Sequence, residues 1–160
     1  MRHTLGVLVE NQPGALSRVA GLFSGRGFNI ESLTVAETLD PEVSRITLVT
    51  TGNEQIMEQI IKQLNKLVNV IKVIDFREVD FVDREMALIK VRAEANSRAE
   101  VLRIADIFRG QVVDVTPHSY TLEVTGDGKK IEAIVDLLRH LGILEIVRTG
   151  KAAISRSKKT

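Results

Sequence analysis

The stretch NQPGALSRVAGLFSGRGFNIESL, residues 11–33, decides the fold. It places a Pro-Gly turn, an apolar helical stripe and a pair of glycines between two strand-like segments. Apolar residues recur at i, i+3, i+4 and i+7, which is typical of an amphipathic helix; they are Leu16, Val19, Ala20 and Phe23. Gly25 and Gly27 end this helix. The stretch therefore predicts a strand–helix–strand corner.

Strand and helix signals alternate on either side of this corner. Alternating apolar residues mark strands, and apolar residues at helical spacing mark helices. A second helical stripe follows Asn53, whose side chain is of the type that caps a helix N-terminus; the stripe consists of Ile56, Ile60, Leu64 and Leu67. The predicted order of the first half is βαββαβ, with strands at 4–10, 28–38, 43–51 and 70–76.

The second half repeats this order about 80 residues later, an offset that fits two small domains better than a solenoid. Its first helix is predicted to begin with a capping box, in which Ser97 and Glu100 satisfy each other's backbone donors. The helical stripes are Val101, Ile104, Ala105 and Phe108, then Ile131, Ile134, Val135 and Leu138. The strands are predicted at 86–93, 112–115, 120–125 and 143–149.

Two βαββαβ halves with short connections predict an α+β protein of two consecutive ferredoxin-like domains. Right-handed crossovers give each antiparallel four-stranded sheet the order 4-1-3-2, with both helices on one face. The predicted segments are domains at 1–77 and 86–150, a charged linker or strand extension at 78–85, and a flexible basic tail at 151–160. The strand that begins at Phe28 lies at a sheet edge, where a second copy can pair with it.

The composition excludes several classes of function. The chain of 160 residues has a net charge of +1, which argues against a broad nucleic-acid-binding surface. It has no Cys, so disulfides and thiolate metal sites are excluded. No apolar run reaches the length of a membrane span. We therefore expect a cytoplasmic protein with neither a membrane nor a nucleic acid as its partner.

The sequence also lacks the usual catalytic and metal-binding patterns. His3, His118 and His140 are not at metal-ligand spacing, and we expect each of them on the surface or in a turn. No nucleophile or acid–base constellation stands out from the other polar residues. We expect neither a catalytic residue nor a metal site on this chain.

The turn before the first helix has the chemistry of an amino-acid site. The unpaired N–H groups and positive dipole end of a helix N-terminus suit a carboxylate, and Gly14 lets a ligand approach the backbone closely. The amide oxygens of Asn11 and Asn29 can accept from an ammonium. If two copies pair along the edge strand, Asn29 of one chain lies near the Asn11 turn of the other. The apolar walls would be Ala15, Leu16, Ile30 and Leu33.

The alternative interpretation is ordinary turn chemistry, because Pro-Gly and Asn are common in loops. The second half offers an internal comparison. Its equivalent turn, EANSRAE at 94–100, has no glycine and is predicted to cap itself through Ser97 and Glu100. A helix end that caps itself has less need of an anion, so a ligand site is predicted in the first half only.

Several segments resemble a known family. NQPGALSRVAGLFSGRGFNIESLTV closely resembles the start of an ACT domain, the βαββαβ module that senses amino acids. RGFNIESLTV, SRITLV, QLNKLVNVIKV and FRGQVVDVTPHSYTLEVTG resemble the small, regulatory subunit of acetolactate synthase, and the resemblance extends from residue 3 to about 155. The last segment, residues 108–126, is the most specific, because generic ACT proteins do not share it.

The resemblance implies a non-catalytic regulatory subunit that acts in branched-chain amino-acid biosynthesis. Its implied partners are a second copy, paired through the ACT domain, and a catalytic subunit that condenses two pyruvates with loss of CO2. Thiamine diphosphate, Mg and FAD would belong to that catalytic subunit, with no cofactor on this chain. The implied effector is valine, or in some members leucine or isoleucine.

The residues that the resemblance assigns to the effector fall into two groups. One chain would contribute Asn11, Gly14, Ala15 and Leu16, and the other would contribute Asn29 and Ile30. The alternative function is a stand-alone amino-acid-sensing ACT regulator of another enzyme or of transcription.

Overall fold

The structure, a computed structural model of the chain, describes residues 1–158 and has two compact units. The first unit comprises residues 1–82 and the segment from residue 151, and the second comprises residues 83–150. The first unit contains β1 (Arg2–Glu10), α1 (Ala15–Gly25), β2 (Ile30–Glu37), β3 (Val43–Thr51), α2 (Glu54–Asn65) and β4 (Val70–Asp75). This is the predicted βαββαβ order.

The first sheet is antiparallel, and its strand order is β2-β3-β1-β4. This is the predicted order 4-1-3-2, read from the other edge. Strand β1 pairs with β3 from Arg2 opposite Thr51 to Glu10 opposite Val43. Strand β2 lies at an edge, as predicted, and its register shifts between Ile30 and Ser32, as at a β-bulge.

The core of the first unit forms where one face of this sheet meets α1 and α2. Alternate strand residues point to the same face of a sheet, and helix residues three or four apart share one face of a helix. The buried members of the core are Leu5, Val7, Val9, Ala15, Val19, Phe23, Ile46, Leu48, Met57, Ile60 and Leu64. The core is aliphatic apart from Phe23, as expected for a chain with 4% aromatic residues.

The second unit repeats the architecture. It contains most of β5 (Phe81–Arg92), then α3 (Arg98–Ile107), β6 (Gln111–Val115), β7 (Ser119–Gly126), α4 (Gly128–Arg139) and β8 (Ile143–Arg148). The strand order is β6-β7-β5-β8, which is again 4-1-3-2 in the numbering of the repeat. Its buried core is Ala87, Ile89, Val91, Ala93, Val101, Ile104, Ala105, Leu122, Val124, Ile131, Ile134 and Leu138.

The boundaries between the units differ from the predicted ones. We predicted a linker or a strand extension at 78–85, and the structure ends the connection at residue 80, where β5 begins with Phe81. Phe81 packs on Phe76 with the ring centroids 4.9 Å apart. Glu85, read as part of a solvated charged run, is buried and accepts a hydrogen bond from Arg148. The structure thus favours the strand-extension alternative for residues 81–85. Only the burial of Glu85 was not predicted, because its partner Arg148 is distant in sequence.

The predicted flexible tail at 151–160 is wrong for the residues that the structure describes. Residues Ala152–Ser155 form a ninth strand, β9, which pairs with β5. The Ala153 N–H donates to Thr47 Oγ1 over 3.4 Å, and Arg45 Nη2 donates to the Ala153 carbonyl over 2.9 Å. Residues 159–160 of the predicted tail lie outside the described residues. The segment is held because β3 offers it both a donor and an acceptor.

The helix N-termini follow two patterns. The Asn53 side chain accepts from the Ile56 N–H over 2.9 Å, which confirms the predicted cap of α2. The Asp127 side chain does the same for Lys130 in α4. The predicted capping box of α3 is wrong. The Ser97 hydroxyl contacts the main chain of Glu94 instead of capping the helix, and the Glu100 carboxylate contacts His140.

One histidine is not on the surface. His3 is 8% exposed, and its Nε2 lies 3.0 Å from the Gly52 carbonyl oxygen. Near it, the Arg77 guanidinium forms hydrogen bonds with Asp75 and holds the pKa of that carboxyl below its usual value. The ion pair between Arg77 Nη1 and Glu54 Oε2, 2.7 Å long, ties the end of β4 to the start of α2.

Candidate functional site

The turn between β1 and α1 has a backbone conformation that glycine favours. Gly14 is the N-cap of α1 and has φ +85°, in the left-handed region. A Cβ at this position would meet no atom within 4 Å. Glycine is therefore needed here for its backbone conformation and not for lack of space, and the space beside it is open to a ligand.

The start of α1 keeps unpaired backbone donors. The Ala15 N–H donates to the Gln12 carbonyl over 3.2 Å, and the first helical bond runs from Arg18 N–H to the Gly14 carbonyl over 3.0 Å. No side chain caps the helix, and within residues 1–158 the N–H groups of Leu16 and Ser17 have no hydrogen-bond acceptor. Two donors at a positive helix end suit one carboxylate.

Asn11 is held on one side only. Its N–H donates to the Glu42 carbonyl over 2.7 Å. Its side-chain Nδ2 donates to Glu37 Oε1 over 3.0 Å and to the Pro41 carbonyl over 2.9 Å. Both amide hydrogens are used, so the oxygen Oδ1 faces away from these two acceptors. It has no hydrogen-bond donor among the described residues and is free to accept from a ligand.

Asn29 and Ile30 lie at the other end of the edge strand. Asn29 directly precedes β2, one residue outside the strand in which we predicted it, and is exposed. Its carbonyl accepts from the buried Thr50 hydroxyl over 2.6 Å. Ile30 opens the strand opposite Thr50 and packs partly on the core. The Asn29 main chain is thus fixed, while its side chain has no hydrogen-bond partner within the described part of the chain.

One chain does not bring the six predicted residues together. Asn11 is hydrogen-bonded to Glu42, the residue before β3, and Asn29 is hydrogen-bonded to Thr50 near the end of β3. Glu42 and Thr50 are eight positions apart in sequence. At the rise of a strand, eight positions correspond to about 26 Å. That distance is much longer than an amino acid, so the two groups of residues cannot hold the same small ligand within one chain.

The predicted apolar walls differ in exposure. Leu16 is 41% exposed and can contact a ligand. Ala15 is 4% exposed and belongs to the core, so only its main chain is available. Leu33 also packs against the core, opposite Leu48 in the register. The sequence placed Leu16 both in the apolar stripe of the helix and in the wall of a ligand site; the structure shows that it is not a core residue, and its role as a wall stays a prediction.

Two residues that contact the Asn11 side chain were missed. Glu37 and Pro41 follow Asn11 by 26 and 30 positions, too far for a local motif. The signal was present in the predicted topology: antiparallel pairing of β1 with β3 brings the end of β1 beside the turn that precedes β3. The gap between the predicted strands at 28–38 and 43–51 marked this turn, but its proximity to Asn11 was not recognised.

Other kinds of site find no support in the described structure. Within residues 1–158, no three His, Cys, Asp or Glu side chains are grouped as metal ligands. None of the helices there has the length and apolar character needed to cross a membrane. His118 and His140 are exposed, and each contacts a carboxylate, Glu94 and Glu100 respectively.

Comparison with known proteins defines the class and then the family. The model of the "AHAS small subunit-like ACT domain" matches residues 5–72, so the first unit, with its βαββαβ fold and open helix N-terminus, is an ACT domain. The model described as "Small subunit of acetolactate synthase" matches residues 84–157. The chain belongs to the family of acetolactate synthase small subunits.

Relatives agree over the full length. The acetolactate synthase small subunit of Haemophilus influenzae is 54% identical over 160 residues, with 99% of this chain and 98% of the relative covered. The probable acetolactate synthase small subunit of Archaeoglobus fulgidus is 52% identical, with 99% of each covered. The crystal structure of the small subunit from Thermotoga maritima superposes with a TM-score of 0.89 at 41% identity and 99% coverage of both chains.

Proposed function

We propose that this chain is the regulatory subunit of acetolactate synthase in branched-chain amino-acid biosynthesis, that it activates a catalytic subunit, and that valine inhibits the assembly by binding between two ACT domains. One observation carries the proposal. Asn11, in the turn that leads to the open helix end at Gly14, and the free amide of Asn29 lie at opposite ends of an exposed edge strand, about 26 Å apart along the sheet.

A second copy can join these two ends. Edge strands present unpaired N–H and C=O groups that favour strand addition. If β2 pairs with its own copy antiparallel, around a two-fold axis at its centre, Ile30 lies opposite Glu37 of the other chain. Asn29 then lies beside the Asn11 corner of that chain. Two equivalent sites result, and each needs both chains.

The proposed site recognises both charged ends of an amino acid. The valine carboxylate accepts from the N–H groups of Leu16 and Ser17, where the helix dipole favours an anion. The ammonium donates to the amide oxygens of Asn11 and Asn29. The isopropyl group contacts Leu16 and Ile30. A ligand of this size gains about −5 to −7 kcal/mol, which corresponds to a Kd of about 10 to 200 μM.

Such a site couples ligand binding to the contact between two chains. A ligand that binds only where two chains meet favours one arrangement of them over others, which is the differential affinity that allostery requires. We expect a coupling free energy to the catalytic subunit of about 1 to 3 kcal/mol. In this proposal the catalytic subunit supplies the thiamine diphosphate, Mg and FAD, and this chain contributes only regulation.

The sensing claim is tested by calorimetry. Titration of the purified chain with valine, leucine and isoleucine is expected to give heat with at least valine, at one ligand per chain. The same titration on a variant with Pro in the middle of β2, Val35→Pro, removes a backbone donor that faces away from β3 and is expected to abolish both self-association and binding. Absence of heat at millimolar concentrations of all three amino acids would refute the claim.

The activation claim is tested separately. The chain is expected to co-purify with an acetolactate synthase catalytic subunit and to raise its rate of acetolactate formation. A chain that binds valine but neither binds nor stimulates the catalytic subunit would favour the alternative, a stand-alone ACT regulator. The family match over residues 84–157 argues against that alternative, because the second unit is then also specific to these small subunits.

A further inference from the structure

The Asn11 side chain owes its orientation to Glu37. An amide group can be turned either way, but both neighbours of Nδ2 are acceptors: Glu37 Oε1 at 3.0 Å and the Pro41 carbonyl at 2.9 Å. Only the nitrogen can face them. The oxygen is therefore turned away from the β2–β3 turn, which is the orientation that an ammonium needs.

The Glu37 carboxylate brings a negative charge to this corner. Glu37 is the last residue of β2 and is exposed. Within residues 1–158, no Lys or Arg side chain forms an ion pair with it. Of the neighbouring acidic residues, Glu10 Oε2 accepts from Asn69 over 3.4 Å and Asp40 Oδ1 accepts from the Glu42 N–H over 3.0 Å. Glu42 contacts Asn11 only through its main-chain carbonyl.

Asn11 itself is neutral, so it offers an ammonium a dipole and no charge. A carboxylate behind the amide stabilises a cation bound in front of it by Coulomb attraction, which solvent weakens at this exposed corner but does not abolish over a few ångströms. Hydrogen bonds in series also polarise one another, so the Glu37–Asn11 bond makes Oδ1 a better acceptor.

We propose that Glu37 is a positioning and specificity-determining residue of the amino-acid site: it turns Asn11 towards the ligand and supplies the negative charge that selects α-amino acids over the corresponding carboxylic acids. This inference rests on the proposed function. It assigns the ammonium half of the site to a pair, Asn11 with Glu37, and leaves the carboxylate half to the start of α1.

The test separates charge from hydrogen bonding. Glu37→Gln keeps a side-chain oxygen that can accept from Asn11 and removes the charge. Glu42→Gln is the matched control, because it makes the same charge change in the same turn and its main-chain contact to Asn11 is kept. The two probes are valine and 3-methylbutanoate, which has the side chain and carboxylate of valine and lacks the ammonium. Protein-observed NMR titration gives both dissociation constants.

We expect Glu37→Gln to weaken valine binding by about 3- to 30-fold and to leave the affinity for 3-methylbutanoate unchanged, so that selectivity for the amino acid falls by the same factor. Glu42→Gln is expected to bind both probes as the wild type does. The melting temperature of both variants is expected to match the wild type, because both side chains are exposed.

Three results would overturn the inference. If Glu37→Gln weakens both probes equally, the residue has only a structural role. If Glu37→Gln weakens the binding of neither probe, or if Glu42→Gln has the same effect, the Glu37–Asn11 pair has no specific role in recognising the ammonium. These three results leave valine binding by the wild-type chain intact and overturn only the role of Glu37. A wild-type chain that binds no branched-chain amino acid overturns the proposed function instead, so the two failures are distinguishable.

Discussion

The starts of α1 and α3 occupy the same position in two copies of one fold, yet they use their polar groups differently. In the second unit the Ser97 hydroxyl contacts the Glu94 main chain, and the Arg98 side chain donates to the Ala93 carbonyl over 3.2 Å. In the first unit Gly14 has no side chain, and Asn11 is held from behind by Glu37. Within residues 1–158, both helix starts leave two N–H groups without an acceptor, Leu16 and Ser17 in α1 and Ala99 and Glu100 in α3. The first turn of α3 carries the Glu100 carboxylate, whereas α1 has no acidic residue there and has the unused Asn11 amide oxygen beside it.

This difference indicates that the polar groups of a turn that lack a hydrogen-bond partner within the chain are the ones to consider for ligand binding. The lack of a side-chain cap is not the distinguishing feature, because both α1 and α3 lack one. What differs is that the side chains around α3 contact their own main chain. Four substitutions extend the comparison of the two units, two of them at ion pairs and two at the proposed ligand site.

The largest effect is expected in the second unit, where a buried charge depends on one partner. The Glu85 side chain is 3% exposed and pairs with Arg148. Arg148→Ala leaves that carboxylate buried and unpaired, and we expect a loss of about 3 to 5 kcal/mol in the free energy of unfolding, measured by urea denaturation. Lys90→Ala, which removes the exposed pair with Glu145, is the control and is expected to cost under about 1 kcal/mol. Equal losses would contradict the prediction.

The next effect concerns ligand affinity in the first unit. Gly14→Asp puts a carboxylate where the ligand's own carboxylate would bind, and we expect valine affinity to fall by about 2 kcal/mol or more, roughly 30-fold. Gly14→Ala is the matched control, because it imposes the same backbone strain at φ +85° without the charge, and its Cβ meets no atom within 4 Å. Calorimetry on both variants separates backbone strain from repulsion. Similar losses in both would mean that strain alone is responsible.

A smaller loss is expected from Asn29→Ala, which removes the acceptor that the second chain contributes. We expect valine binding to weaken by about 1 to 3 kcal/mol, while stimulation of the catalytic subunit is retained. The control in the second unit, Asn96→Ala, removes the same amide from an exposed side chain in the turn before α3 and is expected to leave valine binding unchanged. Loss of stimulation together with binding would show that Asn29→Ala damages assembly instead.

The smallest effect is a pH dependence in the first unit. The Arg77 guanidinium lowers the pKa of Asp75, so this carboxyl stabilises the fold above its unfolded pKa, and the contribution is lost as the pH falls through the lowered folded-state pKa. We expect Arg77→Ala to reduce stability by under about 1 kcal/mol at neutral pH and to flatten the acid side of the stability curve. Urea midpoints between pH 2.5 and 6 measure this. A curve parallel to that of the wild type would contradict it.

The regular elements could be predicted because their signals are local. The spacing of Ile56, Ile60 and Leu64 specifies a buried helical face, and Asn53 specifies where that helix begins. The strand order followed from connection lengths and handedness. The edge position of β2 was predicted on the same grounds, and the structure confirms it.

The misses involve residues whose partners are distant in sequence. Ser97 and Glu100 match a capping motif, but Glu100 contacts His140, 40 positions away, and Ser97 turns back to Glu94. The strand at Ala152–Ser155 depends on Arg45, 108 positions before Ala153. Glu37 escaped notice because only the pairing of β1 with β3 brings it near Asn11. No periodicity within a short window encodes such contacts.

The ninth strand has a consequence for how this module can be inherited. Because Ala153 supplies both a donor to Thr47 and an acceptor to Arg45, the ACT unit includes residues encoded after the second unit. A gene segment for residues 1–82 therefore encodes an incomplete unit. A single recombination junction cannot transfer the complete first unit without the second unit, which lies between its two segments. We therefore expect the coding regions of the two units to be inherited together.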